Sequence, residues 1–321
     1  MYNIGVDLGG TNIAVGIVDE NHKILIKDSI PTNAGRPGEE IVADMASLSK
    51  RLLDKLGLTA DDIEYAGIAT PGLVNCDEGI VEYANNLKFM NFPMAKIYKK
   101  HLPVKEVYVA NDANAAALAE TLCGKAKGAR HAVMITLGTG VGGGVIIDRK
   151  IYTGFNFAGA ELGHTVIEHN GRLCSCGRLG CFEAYCSATA LTKMTEEKLT
   201  ECKIKGIPTK MEELFDKNGK VTARTAFDAM KMGDRHGKAV VDSYISYLAC
   251  GVTNLINIFQ PEVFLIGGGV CNEGDYLLKP LIDIVDREQY SRNCEREKKT
   301  KIMIAELGND AGIVGAAGLG I

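Results

Sequence analysis

Apolar residues recur along this chain in two periods. Asn3 to Leu8 and Ile13 to Val18 are short, β-branched runs on either side of Gly9-Gly10-Thr11-Asn12, and they predict a strand, a turn and a second strand. Ile41, Met45, Leu48, Leu52 and Leu56 recur at spacings of three and four, the stripe of an amphipathic helix, and Gly57 is placed to end it. Tyr65 to Ala69 reads as a buried strand closed by Pro71-Gly72. Val107 to Ala110 reads as another, followed by Asn111-Asp112 and an Ala- and Leu-rich helix from Ala113 to Cys123, with Gly124 beyond its end. Further on, a helix is predicted over Ala239 to Phe259 and a strand over Val263 to Ile266, ahead of Gly267-Gly268-Gly269. Lys301 to Ala305 predicts a last strand, and Asp310 to Gly318 a small-residue helix.

The strand–turn–strand pattern occurs twice. Val133 to Leu137 leads into Gly138-Thr139-Gly140-Val141-Gly142-Gly143-Gly144, and Val145 to Asp148 follows. At a constant offset Leu8 falls on Leu137, Gly9 on Gly138, Ile17 on Ile146, Val18 on Ile147 and Asp19 on Asp148. One such repeat predicts two related α/β domains rather than a solenoid. The expected division is a smaller domain of residues 1–123 plus 306–321 and a larger one of residues 124–305. A cleft between them and a tight hinge at Ala119 to Gly128 and again before the final helix complete the expectation.

Composition narrows the function. Lys and Arg number 36 against 40 Asp and Glu, a net charge of −4, so no basic surface for nucleic acid or an anionic membrane is expected. No apolar run is read as a membrane span, and the opening MYNIGVDLGG lacks a basic secretory leader, so a cytoplasmic protein is expected. Gly, at 37 of 321 residues, is in excess, which suggests loops whose backbone approaches a ligand. Of ten cysteines, Cys76, Cys123, Cys202, Cys250, Cys271 and Cys294 are scattered and read as small buried hydrophobes.

The rest are clustered. His164, Cys174, Cys176 and Cys181 offer one imidazole and three thiolates, a closed tetrahedral set for a structural Zn²⁺, with Gly171, Gly177 and Gly180 suited to a tight knuckle. Cys186 is read as a bystander on the following helix. Glu161 and Glu183 flank the knuckle, where two fixed carboxylates would suit the vicinal hydroxyls of a sugar. The paired Gly turns, with hydroxyls from Thr11 and Thr139 and a third Gly loop at Gly267 to Gly269, suit nucleotide phosphates through backbone N–H groups. Neither is a P-loop, and a strand rather than a helix follows Gly138-x-Gly140-x-Gly142, so neither is a dinucleotide fingerprint. A side chain at Gly10 or Gly140 should block those N–H groups or force an unfavourable φ, and Gly140→Val is expected to raise the KM for nucleotide far more than that for sugar. Asp112 has two readings of equal standing, a helix N-cap or a general base at a strand's carboxyl end.

Asp7-Leu-Gly-Gly-Thr-Asn12, Ala69-Thr-Pro-Gly72, Asn111-Asp-Ala-Asn-Ala-Ala-Ala-Leu-Ala-Glu120 and Leu137-Gly-Thr-Gly-Val-Gly-Gly-Gly144 resemble the ROK family of repressors and sugar kinases. So do Gly159-Ala-Glu-Leu-Gly-His164 and Cys174-Ser-Cys-Gly-Arg-Leu-Gly-Cys-Phe-Glu183, and the continuation to Thr189 is most like the bacterial glucokinases. The resemblance runs over nearly the whole chain. It implies a duplicated actin-like, ribonuclease-H-like α/β fold that binds ATP and Mg²⁺, and a place in glycolysis. It implies Asp112 as the catalytic base, with Gly72, Asn111, Glu161, His164 and Glu183 on the sugar and His164 also on zinc. ATP contacts are expected at Gly9, Gly10, Thr11, Asn12, Gly138, Thr139, Gly140 and Gly268. A homodimer or homotetramer is expected.

The first functional expectation is therefore transfer of the ATP γ-phosphoryl group to the 6-hydroxyl of glucose. N-acetylmannosamine, N-acetylglucosamine, mannose and allose are the other candidate substrates, and polyphosphate the other donor. The competing class is a sugar-sensing repressor. Such proteins carry an N-terminal winged helix ahead of the first Gly loop, whereas here that loop follows residue 7 and no helix-turn-helix pattern is visible.

Overall fold

The computed structural model describes residues 1–321. The first predicted hairpin forms from β1 (Tyr2–Leu8) and β2 (Asn12–Asp19), paired antiparallel from Tyr2↔Asp19 to Leu8↔Ile13. β3 (Ile24–Pro31) adds to the far side of β2. The predicted stripe folds as α1 (Gly38–Leu56), which buries Ile41, Met45, Leu48 and Leu52 and ends where Gly57 turns left-handed at φ 67°. β4 (Ile63–Thr70) runs parallel to β1. β5 (Leu73–Asn75), β6 (Ile80–Ala84) and β7 (Phe89–Phe92) make a small separate sheet that the periodicity did not predict. α2 (Met94–His101) follows, then β8 (Glu106–Asn111), parallel to β4, and α3 (Asp112–Leu122). The first sheet has the order β3-β2-β1-β4-β8.

The second half opens with β9 (Ala132–Leu137), β10 (Val141–Ile147) and β11 (Lys150–Ile151). After the cysteine-rich segment come α4 (Glu183–Cys186), α5 (Ala188–Ile204), α6 (Lys210–Asn218), α7 (Thr225–Lys231) and α8 (Arg235–Phe259). β12 (Val263–Gly267), α9 (Asp275–Glu288), β13 (Lys301–Ile304) and α10 (Ala311–Ala317) complete the chain. The second sheet, β11-β10-β9-β12-β13, repeats the first position for position. In each, a hairpin supplies one side and strands reached by helical crossovers supply the other. This is the duplicated α/β architecture that the sequence repeat predicts. The glycines of the second turn are drawn into β10, so that strand starts four residues earlier than predicted.

The chain divides into two compact units. The first comprises residues 1–132, 144–160 and 305–321, and the second residues 133–143 and 161–304. In the first, α10 lies directly on the sheet. Side chains on Gly5 or Gly67 would overlap the carbonyls of Ile313 and Ala316, so glycine there allows helix backbone to touch strand backbone. Tyr65 Oη donates to the Ala317 carbonyl at 2.7 Å and pins the end of the helix.

In the second unit α8 is the central element. By length and composition it reaches what a membrane span requires, which corrects the reading that no apolar run does. Most of its apolar stretch is buried, with Val241, Tyr244, Leu248 and Val252 in the interior, as in the core helix of an ordinary domain. Gly251 leaves room on α8 for the ring of Phe182, which is fully buried and worth roughly 1.5–3 kcal/mol. Of the six scattered cysteines, Cys202 and Cys271 are buried and Cys76, Cys123 and Cys250 partly so. Cys294 departs from the expectation: it is exposed, in the loop after α9.

Candidate active site and metal centre

In the first unit the site residues gather where β8 passes into α3. The N-cap of α3 is Asn111, not Asp112. Asn111 Oδ1 accepts from the backbone N–H groups of Ala113 (2.9 Å) and Asn114 (3.3 Å), and its Nδ2 donates to the Gly72 carbonyl at 3.1 Å. Asn111 thus closes the helix and fastens the Gly72 turn with one amide. Gly72 has φ 104°, and any side chain there would overlap the Tyr83 carbonyl. The capping role that competed with a chemical role for Asp112 is therefore taken by its neighbour. Asp112 is the first helical residue, its Oδ1 accepting the Ala113 N–H at 2.8 Å. Burial raises its pKa above the ordinary carboxylate value, against the pull of that N–H.

Asp7 is the residue that sequence reasoning left without a role. Burial, and then the charge of Asp112, push its pKa up to about 6. Gly312 of α10 lies against it, where a Cβ would overlap its carboxylate. The signal was present in the sequence: a lone acid in an apolar strand, just ahead of Gly9-Gly10. A carboxylate held out of water this way costs stability once ionised. Its folded pKa of about 6 is above the unfolded value of about 3.9, so stability is lost as pH rises between them. Asp7→Asn should stabilise the protein by about 2 kcal/mol at pH 7–8 and be near neutral at pH 4, read by thermal melts at both pH values.

The first Gly turn is closed by Gly9 N–H donating to the Asn12 carbonyl at 2.9 Å, and Thr32 Oγ1 donates to the Gly9 carbonyl at 2.7 Å. Neither Gly9 nor Gly10 has positive φ, so backbone strain is not what requires glycine there. Open space is the relevant property: a Cβ on Gly10 would meet nothing nearer than Asn86 Cβ at 3.9 Å. Thr11 and Asn12 are exposed beside it.

In the second unit, Gly138 N–H donates to the Gly140 carbonyl at 3.0 Å. The head of α5 holds the loop from outside, Ala188 N–H donating to the Gly138 carbonyl and Thr189 Oγ1 to the Thr139 carbonyl, each at 2.8 Å. Gly268 has φ 89° and packs on the Leu137 backbone with no room for a Cβ, so the third Gly loop is fastened to the second.

The cysteine-rich segment folds as the predicted knuckle. Two short bridges, Val166↔Cys181 and Leu173↔Leu179, fold it back on itself. Gly177 (φ 85°) and Gly180 (φ 81°) make its turns. One ligand atom from each of His164, Cys174, Cys176 and Cys181 falls within 4.8 Å of every other. Cys176 Sγ and Cys181 Sγ are 3.7 Å apart, as are Cys174 Sγ and His164 Nδ1. A tetrahedron with metal–sulfur bonds of about 2.3 Å has edges of about 3.8 Å, so the donor set fits zinc. The thiols are unevenly poised. The Arg178 amide holds Cys176 below the usual thiol value, whereas burial pushes Cys181 up to about 12. A metal would bring all three to the thiolate form. The knuckle is anchored behind by Phe182 against α8, by Tyr185 against Tyr247 with ring centroids 4.4 Å apart, and by Tyr244 Oη donating to the Cys186 carbonyl at 2.7 Å.

Glu161 and Glu183 differ. Glu161 is exposed at the head of the turn that carries His164. Glu183 is tied on both oxygens. Oε1 accepts from Ser175 Oγ at 2.7 Å, and Oε2 accepts the Val141 N–H at 3.0 Å. Glu183 therefore joins the cysteine-rich knuckle to the second Gly loop, a link that spacing could not reveal. A Cβ on Gly140 would overlap the Glu183 carboxylate. The expectation that Gly140→Val acts mainly on nucleotide changes accordingly. The KM for sugar should rise with that for ATP, by about tenfold or more each, and steady-state kinetics with each substrate varied in turn will measure it.

Residues 3–321 match the sequence profile of the ROK family. The glucokinase of Halalkalibacterium halodurans is 36% identical over 319 residues, which cover 99% of this chain and 94% of that protein. A ROK family glucokinase from Streptomyces griseus, solved in complex with glucose and AMPPNP, superposes with a TM-score of 0.78 at 31% identity over 99% of both chains. The chain is a ROK-family sugar kinase. The kinase is also 31% identical, over 99% of its length and 94% of the other's, to an N-acetylmannosamine kinase of Haemophilus influenzae, so the family is common to enzymes named for different sugars.

Proposed function

We propose that this kinase transfers the γ-phosphoryl group of ATP to the 6-hydroxyl of a hexose, glucose foremost, with Asp112 as general base. The observation that carries the reading is the likeness, over 99% of both chains, to the glucokinase solved with glucose and AMPPNP. Asp112 would take the hydroxyl proton as the sugar oxygen bonds to the γ-phosphorus and the bond to the ADP oxygen breaks. Its raised pKa makes it a stronger base than an ordinary aspartate.

Asn111 and Gly72, already fastened to each other, would present fixed polar groups to the sugar. Glu161, Glu183 and the His164 nitrogen turned away from Cys174 would take further hydroxyls. Glu183 keeps acceptor capacity for this, since two oxygens carry about four lone-pair directions. The Gly9-to-Asn12 turn, the Gly138-to-Gly140 turn and Gly268 would receive the nucleotide through backbone N–H groups other than those of Gly9 and Gly138, which close their own turns. Mg²⁺, held chiefly by the nucleotide's phosphates, supplies charge neutralisation there. Zinc at His164, Cys174, Cys176 and Cys181 would be structural, because four protein ligands leave no open position.

A coupled ADP-release assay tests the reading with glucose, mannose, allose, N-acetylglucosamine and N-acetylmannosamine, each with ATP and with polyphosphate. Glucose with ATP should give the highest kcat/KM, by about tenfold or more, the discrimination expected when a site hydrogen-bonds every hydroxyl. A clear preference for an N-acetylated sugar would overturn the glucose assignment, and turnover of no hexose would overturn the whole reading.

A further inference from the structure

Thr32, the residue after β3, is completely buried, and its hydroxyl, its N–H and its carbonyl all have partners. Oγ1 donates to the Gly9 carbonyl at 2.7 Å, and the N–H donates to the Thr11 carbonyl at 2.8 Å. The Thr32 carbonyl accepts from Arg36 Nε at 3.2 Å, and Arg36 Nη2 donates to Asp44 Oδ2 of α1 at 2.5 Å. One residue thus grips the first Gly turn twice and is itself tied to a helix of the same unit.

The two grips act on alternate peptide planes of the turn. A trans peptide is flat, so the C=O of one residue and the N–H of the next point in opposite directions. Drawing the Gly9 carbonyl to Thr32 turns the Gly10 N–H away from Thr32. Drawing the Thr11 carbonyl there does the same for the Asn12 N–H. Thr32 lies in the interior, whereas Gly10, Thr11 and Asn12 are exposed. Both amides are therefore turned away from the buried residue that holds their peptides. Successive N–H groups fixed in this way form a concavity for an anion. The hydroxyl is what the position requires, because a methyl group in its place would leave the Gly9 carbonyl without its donor.

We propose that Thr32 is a positioning residue for the nucleotide: by holding the Gly9 and Thr11 carbonyls, it aims the Gly10 and Asn12 N–H groups at the phosphates. The proposal rests on the reading of this turn as a phosphate cradle, and the experiment separates the two.

The test uses the full-length protein with Mg²⁺ and AMPPNP, whose γ-phosphoryl group is not transferred. In the unaltered protein the nucleotide should slow hydrogen exchange of the Gly10 and Asn12 amides by about tenfold or more, and leave the Gly9 amide, already bonded to Asn12, little changed. In Thr32→Val the calorimetric Kd for Mg²⁺–AMPPNP should rise about tenfold, the scale of a hydrogen bond to a charged group that is no longer held in line. The Kd for glucose should stay within about threefold, and Thr32→Ser, which keeps the hydroxyl, should bring the nucleotide Kd back to within about threefold of normal. Exchange slowed in the unaltered protein with an unchanged nucleotide Kd in Thr32→Val would overturn the proposal alone. Exchange slowed at neither amide would overturn the cradle reading and the proposal with it. An equal loss of glucose affinity, or no rescue by serine, would reduce Thr32 to a merely structural role and overturn the proposal. If Thr32→Val fails to fold, Thr32→Ala carries the same measurements, since it removes the hydroxyl without setting a methyl group against the Gly9 carbonyl.

Discussion

Asp112→Asn should lower kcat by about 10²–10⁴-fold, the usual contribution of a general base, with the sugar Kd little changed. The fold should survive. The cap of α3 belongs to Asn111, which makes two bonds to the helix N–H groups, and Asp112 contributes a single local bond that an amide oxygen can replace. The substitution also removes a buried like charge beside Asp7. The pH profile offers a second reading. The base must be ionised, and its pKa is raised by burial, so kcat/KM should begin to fall on the acid side at a higher pH than an ordinary aspartate would dictate. Turnover near the normal rate in a folded Asp112→Asn protein would remove Asp112 from the chemistry. Asn111→Ala is a useful contrast. It should cost about 1 kcal/mol of stability as a lost cap, and it should loosen the Gly72 turn that Asn111 also holds.

Cys176→Ala is expected to have the next largest effect. Elemental analysis should find about one zinc per chain in the unaltered protein, from the four-ligand count, and markedly less in the variant. Loss of a ligand or of its supporting contacts commonly costs 10–100-fold in affinity or activity, and the KM for sugar should rise by about that factor. The nucleotide side should weaken too, by a smaller factor. Glu183 is held by Ser175, which lies between two of the proposed metal ligands, and it holds the Val141 amide of the second Gly loop in turn. Normal sugar affinity in a zinc-free preparation would leave the knuckle as an ordinary cysteine-rich loop.

Most of the framework was legible in the sequence because its signals are local. Periodicity located α1, glycine located its end, and the offset between the two Gly turns announced the duplicated sheets. The knuckle was legible for the same reason: one histidine and three cysteines in a short segment leave few alternatives. The small β5-β6-β7 sheet was missed because its strands are three to five residues long, too short for a period to register. The start of β10 was missed because Gly142-Gly143-Gly144 carries no side chains to alternate. Partnerships were the least legible of all. Nothing in the spacing of Asn111 and Asp112 says which is the cap, and nothing in the separation of Val141 and Glu183 says that they touch. The same is true of Glu120, buried in α3, whose three donors, the amides of Lys125, Glu306 and Leu307, come from segments near and far along the chain. Such bonds are products of the tertiary fold, and the sequence signals only that a polar residue stands among apolar ones.

The bond from Val141 to Glu183 also bears on inhibition. A sugar mimic that draws Glu183 Oε2 toward itself takes away the acceptor of a Gly-loop amide, and a nucleotide mimic that draws the amide releases the carboxylate. Neither compound would act on one substrate alone. Sugar analogues should therefore give mixed inhibition against ATP. Resistance to a nucleotide-directed inhibitor that arises in the Gly loop should carry a penalty in sugar affinity, because the two recognition surfaces proposed for this unit would share a carboxylate.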